Sequence, residues 1–126
     1  VESARRRLAE IADEVIATFF GPNAAPADIE VARKAMAAVP EATYRAAMHC
    51  LVAFDRRDAL SNLSVPTLVL AGEKDSNAPA PMMERMAGKI PGAEYACMAG
   101  AGHLANLECP EAFNDAIGSF INKLKN

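Results

Sequence analysis

Val65-Pro66-Thr67-Leu68-Val69-Leu70-Ala71-Gly72-Glu73-Lys74-Asp75 is the stretch that decides the fold. Thr67–Ala71 is a continuous β-prone apolar run, as expected of a strand covered on both faces. The chain then loops from Gly72 to Ala78. Pro79 or Pro81 opens a helix carrying Met82, Met83, Met86 and Ile90, and Pro91-Gly92 stops it. Ala93–Ala99 reads as a second strand, followed by Gly100-Ala101-Gly102-His103-Leu104. A strand–helix–strand unit within one sheet is parallel and right-handed in almost all cases. Asp75 therefore lies beyond the carboxyl end of one strand and His103 beyond that of its neighbour. This is the sheet edge where open α/β sheets bind ligands.

The two residues suit each other chemically. Neighbouring strands lie ~4.8 Å apart, so a carboxylate and an imidazole on adjacent strand ends can bond. A carboxylate on imidazole Nδ1 fixes the ring tautomer and stabilises the imidazolium formed when Nε2 takes a proton. The glycines at 100 and 102 allow the sharp turn that lets the ring face back over the sheet. A glycine turn before a histidine also occurs for structural reasons, and it is the acid loop one crossover earlier that favours the catalytic reading.

Working outward, the last segment is an amphipathic helix opened by Pro110. It turns Phe113, Ile117, Phe120 and Ile121 inward and places Lys123 and Lys125 near its end. The first half is helical. Ser3 can cap a helix carrying Leu8, Ile11, Ala12, Val15, Ile16 and Phe19, which Gly21-Pro22-Asn23 ends. A second helix spans Asp28–Val39, with Ile29, Ala32, Ala35, Met36 and Val39 on one side. A third starts at Pro40 and runs through about Phe54, burying Tyr44, Met48, Leu51 and Val52. A short helical turn over Arg57–Leu63 leads back to Pro66.

Composition narrows the function class. The chain of 126 residues holds one domain with a real core and is too short for two typical ones. Hydrophobic residues at 52% and charged ones at 23% argue against disorder. A net charge of −3 argues against a nucleic-acid partner. Arg5-Arg6-Arg7 is followed by Glu10, Asp13 and Glu14 and reads as a solvated helix face. Cys50, Cys97 and Cys109 form no CxxC pair and fit a reducing compartment. No apolar run approaches the ~18 residues that span a bilayer, so no membrane partner is expected. No signal-peptide pattern opens the chain, and the cytoplasm is the expected location. The start at Val1 rather than Met points to a piece removed upstream.

Other chemistry-bearing residues read more plainly. His49, beside Met48 and Cys50, is taken as structural. Glu108 precedes the Pro110 helix, where a carboxylate suits the positive helix end; orienting the His103 loop is its other reading. Met82, Met83 and Met86 read as core rather than as a cofactor pocket. Phe19, Phe20, Met36, Met48 and Phe54 line an acyl or ring pocket if the helices form a cap, with packing in the helical layer the equal alternative. Asp55, Asp58, Asp75 and the two histidines make no short metal-ligand spacing, so no metal is assigned.

Taken together, Asp58-Ala59-Leu60, Val65 to Asp75, Ile90-Pro91-Gly92-Ala93, Gly100 to Glu108 and Pro110-Glu111-Ala112-Phe113-Asn114 resemble the C-terminal part of an α/β-hydrolase. The stretch is most similar to β-ketoadipate enol-lactone hydrolases and related small esterases and carbon–carbon bond hydrolases. The resemblance implies an α/β class and a partial α/β-hydrolase fold. Residues 1–62 would be a helical cap-like segment of three helices. Residues 63–126 would be the C-terminal core segment, a parallel strand–helix–strand–helix unit holding the last two strands of the sheet. It also implies Asp75 as triad acid, His103 as general base, no cofactor, and a small-molecule ester or lactone substrate.

The family's nucleophile sits on a G-x-S-x-G elbow ahead of both residues, and no such pattern occurs in these 126 residues. Ser119 falls inside a helix, and Ser61, Ser64 and Ser76 lack the glycine frame. None of the three cysteines has that setting either. Two functional readings follow. One is the C-terminal fragment of a hydrolase, carrying acid and base without nucleophile. The other is a truncated, non-catalytic, self-associating domain. Either way the Thr67–Ala71 strand has an open apolar edge, which proteins usually cover. An N-terminal hydrolase segment, the chain's own helices, or a second copy in a homo-oligomer would cover it, and the last is expected if this chain is all that is present.

Overall fold

A computed structural model describes residues 11–125. The Ser3 cap, Leu8, the arginine run at 5–7 and Glu10 lie outside the described residues. The centre is a two-stranded parallel sheet of β1 (Leu68–Gly72) and β2 (Glu94–Met98), joined by the crossover helix α4 (Ala80–Ala87). Leu68 faces Glu94 and Gly72 faces Met98 across the ladder. Each strand lies one residue inside its expected bounds, except that β1 runs on to Gly72.

The continuous apolar run of β1 has the cause expected of it, because each face of the sheet is covered. Val69 and Tyr95 on one face pack with Ala87 and Ile90, and with Met83 and Met86 of α4. Leu70, Ala96 and Met98 on the other pack with Ala101, Ala105 and two residues of α6 (Pro110–Leu124), Phe113 and Ala116. Pro79 caps α4, whose N-terminus also holds Pro81. Lys123 in the last turn of α6 bonds Glu94 at 2.6 Å, tying the helix end to the start of β2. Ile121, expected inward on α6, is 44% exposed.

The first half is helical as expected, but it buries less. Residues 11–17 are helical (α1), with Ala12 and Ile16 buried. The helix α2 (Pro26–Ala37) starts two residues before Asp28 and buries Ala32 alone. The helix α3 (Glu41–Ala53) buries nothing: Leu51 is 66% and Val52 86% exposed, contrary to their expected burial, and Met48 is exposed too. Periodicity marks an apolar side of α3, but burial also needs a covering element, and no residue of α3 is buried. A 3-10 turn (Arg57–Asn62) brings Leu60 into the β1–α4 core. The short helix α5 (Ala105–Glu108) between the His103 loop and α6 was not anticipated.

Among the described residues β1 pairs with β2 and with no other strand. Its second edge carries no strand among these residues.

Candidate active site

Asp75 is fixed by its own turn. One carboxylate oxygen, Oδ1, accepts the Asn77 N–H at 2.8 Å and the Ala78 N–H at 3.0 Å, so the side chain closes the loop that carries it. The other, Oδ2, lies 2.8 Å from His103 Nδ1. Asp75 is the only buried charged residue among those described. Burial acts to raise its pKa, but the Ala78 N–H, the His103 ring and the Asn77 N–H outweigh it and hold the carboxyl below its ordinary value. An ionised carboxylate can only accept, so Nδ1 carries the proton and Nε2 is left as the basic nitrogen. Nε2 has no hydrogen bond among the described residues, and the His103 side chain is 40% exposed.

The His103 loop uses its two glycines for different reasons. Gly100 has φ +72°, a conformation that side chains disfavour. Gly102 does not; it is needed for space. A Cβ there would stand 2.6 Å from the Phe19 carbonyl oxygen and 2.7 Å from the Gly21 nitrogen. Turning is the expected role of both glycines, but at 102 the requirement is a close backbone crossing.

The crossing partner is the segment leaving α1. Phe19 O accepts the His103 N–H at 2.7 Å and the Leu104 N–H at 3.2 Å. The Phe19 and His103 rings are 5.1 Å apart, tilted by 44°. Thr18 O accepts from Asn77 Nδ2 at 2.9 Å, which ties the same segment to the acid loop. Glu108 accepts the Gly21 N–H at 2.8 Å through one oxygen and the Gly102 N–H at 2.7 Å through the other. The sequence offers Glu108 two readings, at the Pro110 helix end or orienting the His103 loop, and its contacts lie at that loop. Phe19 also meets the His103 loop, a contact that neither pocket lining nor packing in the helical layer describes. A signal for Glu108 was present in its quoted place five residues after His103, although spacing alone does not identify its bonding partners.

A cleft of about 130 Å³ opens beside the pair, lined by Leu70, Gly72, Asp75, Met83, His103 and Phe113 among others. It takes residues from β1 and from the helices on both faces, and none from β2. With Asp75 and Ala78 from the acid loop and His103 from the base loop, the cleft lies at the carboxyl edge of the sheet. Met48 and Phe54, candidates for a pocket lining, are exposed elsewhere, as is His49 on α3. Ser61, Ser64, Ser76 and Ser119 are exposed and absent from the cleft. Among the described residues no cluster of His, Cys, Asp or Glu could hold a metal ion, and no helix is long and apolar enough to cross a membrane.

Residues 2–116 match the model of the alpha/beta hydrolase family. A thermophilic esterase from Thermogutta terrifontis superposes with a TM-score of 0.85 at 34% identity, covering 97% of this chain and 50% of that one. The 3-oxoadipate enol-lactonase 1 of Acinetobacter baylyi is 29% identical over 92 residues, 73% of this chain and 34% of that protein. The polyketide synthase ThaQ of Burkholderia thailandensis is 38% identical over 76 residues, 60% of this chain and 4% of that protein. The chain thus spans about half of the solved esterase and about a third or less of these two curated relatives.

Proposed function

This chain belongs to the alpha/beta hydrolase family, and we propose that it is the C-terminal part of a hydrolase of esters, lactones or related carbonyl compounds, with Asp75 as triad acid and His103 as general base. The observation that carries the reading is the 2.8 Å bond from Asp75 to His103 Nδ1, which leaves Nε2 as the basic nitrogen of a ring lining the cleft. The nucleophile is a serine on a segment outside these residues, seated along the free side of β1. There His103 Nε2 takes the serine proton as Oγ attacks the carbonyl carbon. Asp75 steadies the imidazolium, which returns the proton to the leaving oxygen. Water, deprotonated by the same nitrogen, then attacks the acyl carbon; the acyl–Oγ bond breaks, Oγ takes the proton back from Nε2, and the acid leaves. In this reading residues 1–62 form the cap and residues 63–126 the core segment.

A fluorophosphonate probe tests this. The chain alone should neither label nor give a burst with a generic ester, because the base has no hydroxyl to activate. The protein encoded by the whole source gene should label, and His103→Ala should abolish labelling. Fast labelling of the chain alone would sink the division of labour.

The exposed apolar side of α3 and the open edge of β1 favour a second reading, a non-catalytic module that self-associates. A stable dimer closing over Asp75 and His103 would support it, and a clean monomer in sedimentation would count heavily against it.

A further inference from the structure

We propose that Glu108 is a positioning residue for His103: its carboxylate clamps the Gly102 amide, one residue before the base, to the Gly21 amide, so that the base and the Phe19 ring are set as one unit. Three consecutive amides of the base loop are pinned. The Gly102 N–H goes to Glu108, and the His103 and Leu104 N–H groups go to Phe19 O. Phe19 is in turn held two residues before Gly21, whose N–H takes the second Glu108 oxygen. The carboxylate therefore closes a ring that runs from Gly102 through His103 and Phe19 to Gly21.

The chemistry asks for a carboxylate in particular. Gly21 and Gly102 are both buried, so water does not readily replace a lost acceptor. Each carboxylate oxygen takes one of the two inward N–H groups, and a glutamine at this place would set an NH2, itself a donor, against one of them. Glu108 has no ion pair with a Lys or Arg among the described residues, so its charge is met by these amides rather than by a surface cation. Glu108 touches neither Asp75 nor the imidazole by hydrogen bond and acts on the base through Gly102. Only the catalytic consequence rests on reading His103 as the base; the clamp itself is tested without activity.

Amide exchange and ring-proton shifts, measured by NMR on this chain, decide the matter. In the unaltered protein the Gly21 and Gly102 amides should be protected; exchange at free-peptide rates would overturn the clamp whether or not any variant folds. In Glu108→Gln at least one of the two should exchange about tenfold faster or more. The His103 ring protons should also move as the ring shifts against Phe19, while the signals of Val69, Ile90 and Met98 stay in place. Unchanged protection of both glycines and unmoved ring protons in that variant would overturn the proposal. Failure of His103→Ala to affect probe labelling of the whole protein would instead refute the base assignment and leave the clamp standing.

Discussion

At the scale of the residue, Asp75 combines two jobs that its sequence position showed only in part. Parallel strands finish at one edge, which sets it beside His103. That rule does not show that the other oxygen closes the acid loop on Asn77 and Ala78. If the whole-gene protein is the proposed hydrolase, Asp75→Asn in it should lower kcat by about 10⁴-fold, since the amide no longer enforces the tautomer. The same substitution should change the pH dependence of folding. The folded pKa lies below the unfolded one, so the stabilisation from Asp75 is fully present above the ordinary carboxylate pKa. It is lost as pH falls through the lowered one. Urea titrations between pH 6 and pH 3 should show that acid loss in the unaltered chain and a shallower one in the variant. Gly102→Ala is expected to destabilise by about 1–3 kcal/mol by the same titration, because its Cβ meets backbone atoms that cannot rotate away. What the sequence hid here was contact at a distance: Gly21 and Glu108 bond across 87 positions, and no local pattern encodes that.

At the scale of the element, the strands were readable because burial on both faces leaves a mark in composition, an apolar run without alternation. The helices were readable as helices, but their burial was not. Residues at i, i+3 and i+4 say which side is apolar, while the partner that covers that side belongs to the rest of the fold. Helix α4 packs on β1 and buries Ala87, whereas α3 buries none of its residues, although both sequences carry the stripe. The difference is measurable. Ile90→Ala, at a position 5% exposed in the β1–α4 core, should cost about 2–5 kcal/mol in chemical denaturation. Val52→Ala, at 86% exposure, should stay within about 0.5 kcal/mol. Equal costs at the two sites would mean that α3 is packed in solution against something the chain does not itself supply.

At the scale of the whole molecule, the site adjoins a strand whose second edge pairs with no strand among the described residues. The cleft beside His103 takes Leu70, Ala71 and Gly72 of β1, and no large side chain among the described residues is fully buried. A two-stranded sheet is marginal alone, so the edge at which the proposed serine-bearing segment would sit is also the edge through which the isolated chain should associate. The ladder fixes which groups are affected. Thr67 O and Glu73 N bond to β2, so by the alternation of a parallel ladder Val69 and Ala71 also point their backbone groups inward. Leu68 and Leu70 then present theirs to the free side. In dilute solution the Leu68 and Leu70 amides should exchange faster than those of Val69 and Ala71. They should become protected as the concentration is raised if two copies pair through the edge, with sedimentation shifting in step. If the edge instead receives a serine-bearing segment, the whole-gene protein should protect the same two amides at every concentration. Fast exchange at Leu68 and Leu70 in both states would show that neither partner uses this edge, and would remove the physical link between the fold's open side and its catalytic pair.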